Sequence, residues 1–176
     1  EIFFTKEVFM LVTMKEILDR AKKDNYGVTS IMVDRSSLSY EDNIAQTKET
    51  VKMCRPLNIS VEAELGHVGQ SEDYSSDGSD HFTKPEEVKK FVEETGIDCL
   101  AVAIGTAHGR YHGTPHIDFD LLKQITDVVD IPLVLHGGSG TGDENLRKAV
   151  KNGIQKVNLA TELVVAGKEE LETFIQ

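Results

Sequence analysis

The chain is short of positive charge, short of cysteine and without a long apolar run, and each shortage removes a class of function. It carries 19 Lys and Arg against 30 Asp and Glu, a formal net charge of −11. So acidic a chain is repelled by nucleic acid and by anionic membrane surfaces, and neither is an expected partner. A phosphorylated ligand stays open, because a local array of backbone N–H groups outweighs a distant acidic surface. Cys54 and Cys99 stand alone in a composition of intracellular type, which predicts buried free thiols rather than a disulfide. No apolar run is long enough to cross a membrane. The opening Glu1-Ile2-Phe3-Phe4 lacks a basic leader, and Lys6 with Glu7 interrupts it. No secretory signal is read there, and a cytoplasmic location is expected. There is also no repeat, low-complexity tract or linker. The expected organisation is one soluble domain over residues 10–176, preceded by an N-terminal tail at 1–9 before Met10.

What the chain has is a steady alternation of helix and strand. The capping box Thr13-x-x-Glu16 opens a helix with Ile17, Leu18 and Ala21 on one face and Gly27 after its end. Thr29 to Asp34 reads as a short strand ending on a carboxylate. Residues 41–54 read as a helix with Ile44, Thr47, Val51 and Cys54 inward, and Ile59 to Leu65 as a strand stopped by Gly66. Residues 67–82 break the rhythm: Gly69 to Asp80 is polar, small and acidic, a long loop that is either a solvated surface or a lid. Thr83, Pro85 and Glu86 start a helix carrying Val88, Phe91 and Val92, ended by Gly96. A strand over Cys99–Gly105, a polar loop at 106–117, a helix near 119–129 and a strand from Pro132 follow. Another helix covers 143–152, then a strand over Gln155–Ala160, and a last helix runs from Thr161. This order predicts five parallel strands joined by right-handed crossovers, a barrel-like α/β fold.

In parallel α/β folds, ligands sit at the carboxyl ends of the strands. Asp34, Glu64, His108, His136 and Asn158 all fall there. Two strands deliver the same design, an apolar run, a histidine and a glycine: Leu100 to Gly105 leading to His108-Gly109, and Leu133-Val134-Leu135 leading to His136-Gly137. Two imidazoles at neighbouring strand ends, with carboxylates nearby, suit Zn²⁺, Fe²⁺ or Co²⁺; each histidine alone also reads as a hydrogen-bonded structural residue. Gly137-Gly138-Ser139-Gly140 and Asn158-Leu159-Ala160-Thr161 follow the last two strands, where barrels often bind phosphate beside a helix N-terminus. Thr141, Asp143 and Thr161 equally read as helix caps. Asp34 and Glu64 read as a second metal position or as local hydrogen-bond acceptors. Glu72, in the acidic loop, is the candidate mobile acid or base. His67 reads either way, and His81, His112 and His116 are left out of the site.

The segments Val61-Glu62-Ala63-Glu64-Leu65-Gly66, Ala101 to Gly109, Leu133 to Gly140 and Lys156 to Leu163 closely resemble class II, metal-dependent ketose-bisphosphate aldolases. The branch most resembled contains the tagatose- and fructose-bisphosphate aldolases. The likeness runs from about residue 10 to 170. It implies that His108 and His136 are two of three zinc-binding histidines, and that Asp34 and Glu64 hold a second or displaced metal. It implies further that Gly109, Gly137, Gly138, Ser139, Asn158, Leu159, Ala160 and Thr161 bind dihydroxyacetone phosphate, and that Glu72 helps move protons. The cofactor implied is Zn²⁺ or another divalent transition metal, with a monovalent cation. The reaction implied is reversible aldol cleavage of fructose- or tagatose-1,6-bisphosphate to dihydroxyacetone phosphate and glyceraldehyde 3-phosphate.

The chain also departs from that family's pattern. The family has three further strands between a segment like Asn25-Tyr26-Gly27-Val28 and one like Thr29 to Asp34, and here the two abut. The adjacent Asp-His pair that supplies the family's acid/base and third zinc ligand is not found; Asp80-His81 has the letters but lies in the acidic loop. A (β/α)₈ barrel takes about 250 residues. The expectation is therefore an incomplete, TIM-barrel-derived sheet of about five strands, with two open edges that a homo-oligomer would cover. The alternative function is a catalytically impaired remnant, a phosphate-binding module without the Asp-His pair.

Overall fold

The computed structural model describes Asp19 and residues 28–70, 81–111 and 113–175. The expected tail, the helix opened by Thr13-x-x-Glu16, and Glu72 lie outside the described residues. The elements run β1 (Ser30–Val33), α1 (Tyr40–Cys54), β2 (Ser60–Leu65), α2 (Pro85–Thr95), β3 (Cys99–Val102), α3 (Phe119–Thr126), β4 (Leu133–Leu135), α4 (Asp143–Lys151), β5 (Ile154–Val157) and α5 (Thr161–Ile175), with a 3₁₀ turn at Arg55–Leu57. The five strands form one sheet in the order β1-β2-β3-β4-β5. Every pairing is parallel, in registers such as Ser30 on Ser60, Glu62 on Cys99, Leu100 on Leu133 and Leu133 on Ile154. Among the described residues β1 and β5 each pair on one side only. Among the described residues this is an α/β sheet of TIM-barrel type that does not close.

Strand alternation divides the sheet into two chemically different faces. Val33, Val61, Ala63, Leu65, Leu100, Val102, Leu133, Leu135 and Ile154 join the hydrophobic core with the helices. Each helix brings its inward stripe to that face: Ile44, Val51 and Cys54 from α1, Val88 and Phe91 from α2, Leu122 and Ile125 from α3. The ends of these helices follow local chemistry. Ser39 caps α1 by accepting from the Asp42 N–H at 3.2 Å, and Asp118 caps α3 by accepting from the Leu121 N–H at 2.8 Å. Pro85 opens α2, and Gly96 closes it at φ +69°. The opposite face carries Glu62, Glu64, Ala101, Ala103, Val134 and His136, and there the polar groups collect.

Three expectations shift by more than one residue at their boundaries. The third strand ends at Val102 rather than Gly105, because Thr83 takes over the next residue: its N–H donates to the Ala103 carbonyl, and its hydroxyl accepts from the Ala103 N–H. The helix expected to 129 ends at Thr126, and the last strand runs from Ile154 to Val157. α4 is capped by Gly142 without a side-chain bond, so neither Thr141 nor Asp143 caps it.

α5 has no buried residue and displays Leu163, Val164, Leu171, Phe174 and Ile175 to solvent. Its interior Gly167 has open space where a Cβ would stand. Gly167→Ala is expected to stabilise α5 by about 0.5–1 kcal/mol, since glycine gives up the most backbone entropy in a helix. Slower amide exchange across 163–171 checks this, and unchanged exchange contradicts it.

Candidate active site at the carboxyl ends of the strands

His136 follows β4 directly and turns back over β2. Its Nε2 lies 2.8 Å from Glu62 Oε1, and its Nδ1 lies 3.0 Å from Glu64 Oε2. Glu62 and Glu64 are two residues apart on one strand, so both point to the face His136 occupies. All three side chains are buried. Burial opposes the charged form of His136, but its hydrogen bond to Glu62 and the Glu64 carboxylate outweigh it and push the ring up to about 9. Burial alone would raise Glu62, yet its bonds to His136 and to Lys156 Nζ hold it below its ordinary 4.5. The Nδ1 contact with Glu64 is ionic rather than an aligned hydrogen bond: Glu64 Oε2 is, with Thr106 Oγ1, a buried side-chain oxygen without a hydrogen-bond partner among the described residues.

His108 sits beside this group, its ring centroid 5.8 Å from that of His136. Its backbone N–H donates to the Gly69 carbonyl at 2.8 Å, and the residue bridges to Gln70. The two histidines singled out by matching strand ends are thus neighbours in space.

Asp34 takes a more local role. Its Oδ1 accepts from the Ser36 N–H at 2.9 Å and lies 2.6 Å from the Ser36 hydroxyl, an Asx-type turn. That hydroxyl also reaches His67 Nδ1 at 2.8 Å and Glu64 Oε1 at 3.0 Å. Asp34 therefore connects to Glu64 through Ser36. His67 belongs to this chain of contacts, its ring 6.2 Å from that of His81.

The two loops expected to cradle an anion are stitched to each other. Gly138 N–H donates to the Asn158 carbonyl at 3.1 Å, and Ser139 Oγ accepts from the N–H groups of Ala160 at 3.1 Å and Glu162 at 3.3 Å. Gly140 N–H donates to Glu162 Oε1 at 2.9 Å, so a carboxylate of the chain itself already occupies one donor. A groove of about 410 Å³ opens beside them, lined by Gly109, Tyr111, Ser139, Gly140, Thr161 and Glu162 among others. Gly137 sits one residue from His136, and the exposed Leu159 and Ala160 complete the second loop.

Sequence reasoning missed Glu62 and Lys156, which together with His136 make an ionic run across the sheet, buried at Glu62 and His136 and part-exposed at Lys156. The parity of Val61-Glu62-Ala63-Glu64-Leu65 puts both glutamates on one face and was the available signal. Cys99 abuts the same run, its Sγ 3.7 Å from Glu62 Oε2. Burial first, and the Glu62 charge second, push this thiol up to about 12. Iodoacetamide at pH 8 is expected to alkylate Cys99 at least about a hundredfold more slowly in folded than in denatured protein. Cys54 is buried as expected and Cys99 only half-buried, and equal rates would contradict the shielding of this thiol by its surroundings and the Glu62 charge.

The donor types are those a transition ion takes, but the described residues do not by themselves complete a site for one. His136 turns both ring nitrogens to carboxylates. Among the described residues, no three His, Cys, Asp or Glu side chains converge closely enough to hold an ion. None of the described helices is long and apolar enough to cross a membrane.

Fold and site together define a partial (β/α)-barrel whose polar groups gather at the strand ends. The chain belongs to the class II fructose-bisphosphate aldolase family: the family model described as fructose-bisphosphate aldolase class-II matches residues 12–176. Among solved structures it is similar to the YdjI aldolase of Escherichia coli K12, at 40% identity and a TM-score of 0.74, covering 92% of this chain and 54% of that one. It is also similar to the fructose-bisphosphate aldolase of Campylobacter jejuni, at 25% identity and a TM-score of 0.70, covering 92% of this chain and 51% of that one. The chain thus spans about half the length of these relatives.

Proposed function

We propose that the chain serves reversible aldol cleavage of fructose- or tagatose-1,6-bisphosphate to dihydroxyacetone phosphate and glyceraldehyde 3-phosphate. The observation that carries this reading is the meeting of the His108 and His136 rings, 5.8 Å apart, at the rim where the glycine loop and the Asn158–Thr161 loop border one groove. In the cleavage direction the C4 hydroxyl loses its proton and the C3–C4 bond breaks. The electron pair passes into an ene-diolate, and C3 is reprotonated. The reading gives Glu72 the proton transfers; Gln70, paired with His108, precedes it by two residues. It gives Gly109, Gly137, Gly138, Ser139, Asn158, Leu159, Ala160 and Thr161 the phosphate end of the ketose.

The family's dependence on metal extends the reading to Zn²⁺ or another divalent transition metal at His108 and His136, with Asp34 and Glu64 as an alternative position and a monovalent cation nearby. A closed ion site needs a ligand beyond those the described residues bring together. A cytoplasmic setting and a homo-oligomer covering the open edges of β1 and β5 go with it.

A second reading, a phosphate-binding remnant without turnover, is favoured by that incomplete ligand set. Metal content measured beside an aldol-cleavage assay separates the two. The first reading expects stoichiometric zinc and cleavage of either bisphosphate that EDTA abolishes. Metal-loaded protein that binds dihydroxyacetone phosphate without cleaving a bisphosphate establishes the second.

A further inference from the structure

One hydroxyl touches the residues next to both imidazoles. Ala107, just before His108, donates its N–H to Tyr111 Oη at 2.6 Å. The same Oη lies 2.7 Å from the Ala107 carbonyl and 2.9 Å from the carbonyl of Gly137, just after His136. A phenol has a single proton, so it serves these two carbonyls in turn or shares between them. Ala107 is buried, so its N–H and C=O need partners, and both meet the Tyr111 hydroxyl. Below the hydroxyl the loops are in backbone contact: a Cβ on Gly137 would lie 2.2 Å from the Ala107 carbonyl oxygen. The Tyr111 ring continues the contact over the glycine loop, 3.2 Å from where a Gly140 Cβ would stand, and forms part of the groove wall.

We infer that Tyr111 is a positioning residue for the proposed cleavage: its hydroxyl fixes the His108 loop against the Gly137–Gly140 loop. It thereby sets the spacing between the imidazoles and the groove that would take the substrate's phosphate. The assignment rests on the function proposed above. The hydroxyl acts through two backbones, so its loss disturbs alignment more than binding.

Tyr111→Phe keeps the ring against Gly140 and removes only the hydroxyl. It is expected to lower kcat for bisphosphate cleavage by about tenfold or more, with KM held within about threefold. Exchange of the Ala107 amide should also quicken by about tenfold. The control is Tyr40→Phe, which deletes a comparable hydroxyl-to-carbonyl bond, from Tyr40 to Glu87 at 2.9 Å, between α1 and α2. It should leave kcat and KM unchanged. Equal slowing in both variants, or wild-type kcat and Ala107 exchange in Tyr111→Phe, overturns the assignment while the proposed function stands. A wild-type protein that cleaves neither bisphosphate overturns the proposed function, and the role of Tyr111 falls with it.

Discussion

Replacing His136 with alanine is expected to lower the free energy of unfolding by about 3–5 kcal/mol, the usual cost of breaking a buried ion pair from one side. The substitution removes the ring between Glu62 and Glu64, both 1% exposed. Glu62 keeps Lys156, but Glu64 Oε2 loses its closest positive charge. Removing the carboxylates as well, in the triple variant with Glu62→Gln and Glu64→Gln, is expected to recover much of the loss. Chemical denaturation of all three proteins decides the matter, and a loss below about 1 kcal/mol for His136→Ala would show that the cluster carries little of the fold's stability. The pH dependence follows from the same groups, measured in EDTA. His136 is raised from 6.5 to about 9 on folding, so its contribution is fully present below pH 6.5 and is lost as pH rises through about 9. Glu62 is lowered from 4.5, so its contribution is present above that value and is lost as pH falls below it. This cluster stabilises most between the two, and His136→Gln should flatten the alkaline limb.

Gly137→Ala is expected to cost about 2–4 kcal/mol and to impair the site itself. Gly137 has φ +66°, where an L side chain is strained, and its Cβ would meet the Ala107 oxygen at 2.2 Å, Ala107 C at 2.7 Å and Ala107 N at 3.0 Å. These are backbone atoms of the His108 loop and have no rotamer to turn away. The two loops must part, and the spacing of the imidazoles changes with them. Gly142→Ala isolates the conformational part: φ is +85°, but nothing stands within 4 Å, so about 1 kcal/mol is expected. Thermal or denaturant unfolding of the pair checks the contrast, and equal losses would mean that the contact with Ala107 is slack.

Much of this arrangement was readable from residue order alone, for a definite reason. The five strands, their parallel sense and the carboxyl-end location of His108 and His136 follow from apolar runs alternating with amphipathic helices, because crossovers in such chains have one hand. Histidines in the segments that follow neighbouring strands then share a rim. What escaped was set by registers between distant segments. Glu62 shows its face by parity, but its partners His136 and Lys156 lie 74 and 94 residues away and meet it only once the sheet is aligned. Ala103-Ile104-Gly105 is apolar enough to look like strand, yet Thr83 claims the backbone there. The glycine loop advertised open donors, and Asn158 and Glu162 consume two of them. Tyr111, an aromatic in a polar loop, gave no sign that its hydroxyl would join two loops.

The strand order has a consequence for biosynthesis. Each strand pairs with the one made just before it, across chain separations of about 20 to 40 residues. A nascent chain leaving the ribosome therefore finds every new strand's partner already outside the tunnel, and none must wait for a distant segment. Loop-closure entropy is met in similar instalments along the way. Sheet growth can then keep pace with translation from β1 toward β5, leaving one exposed growing edge at a time.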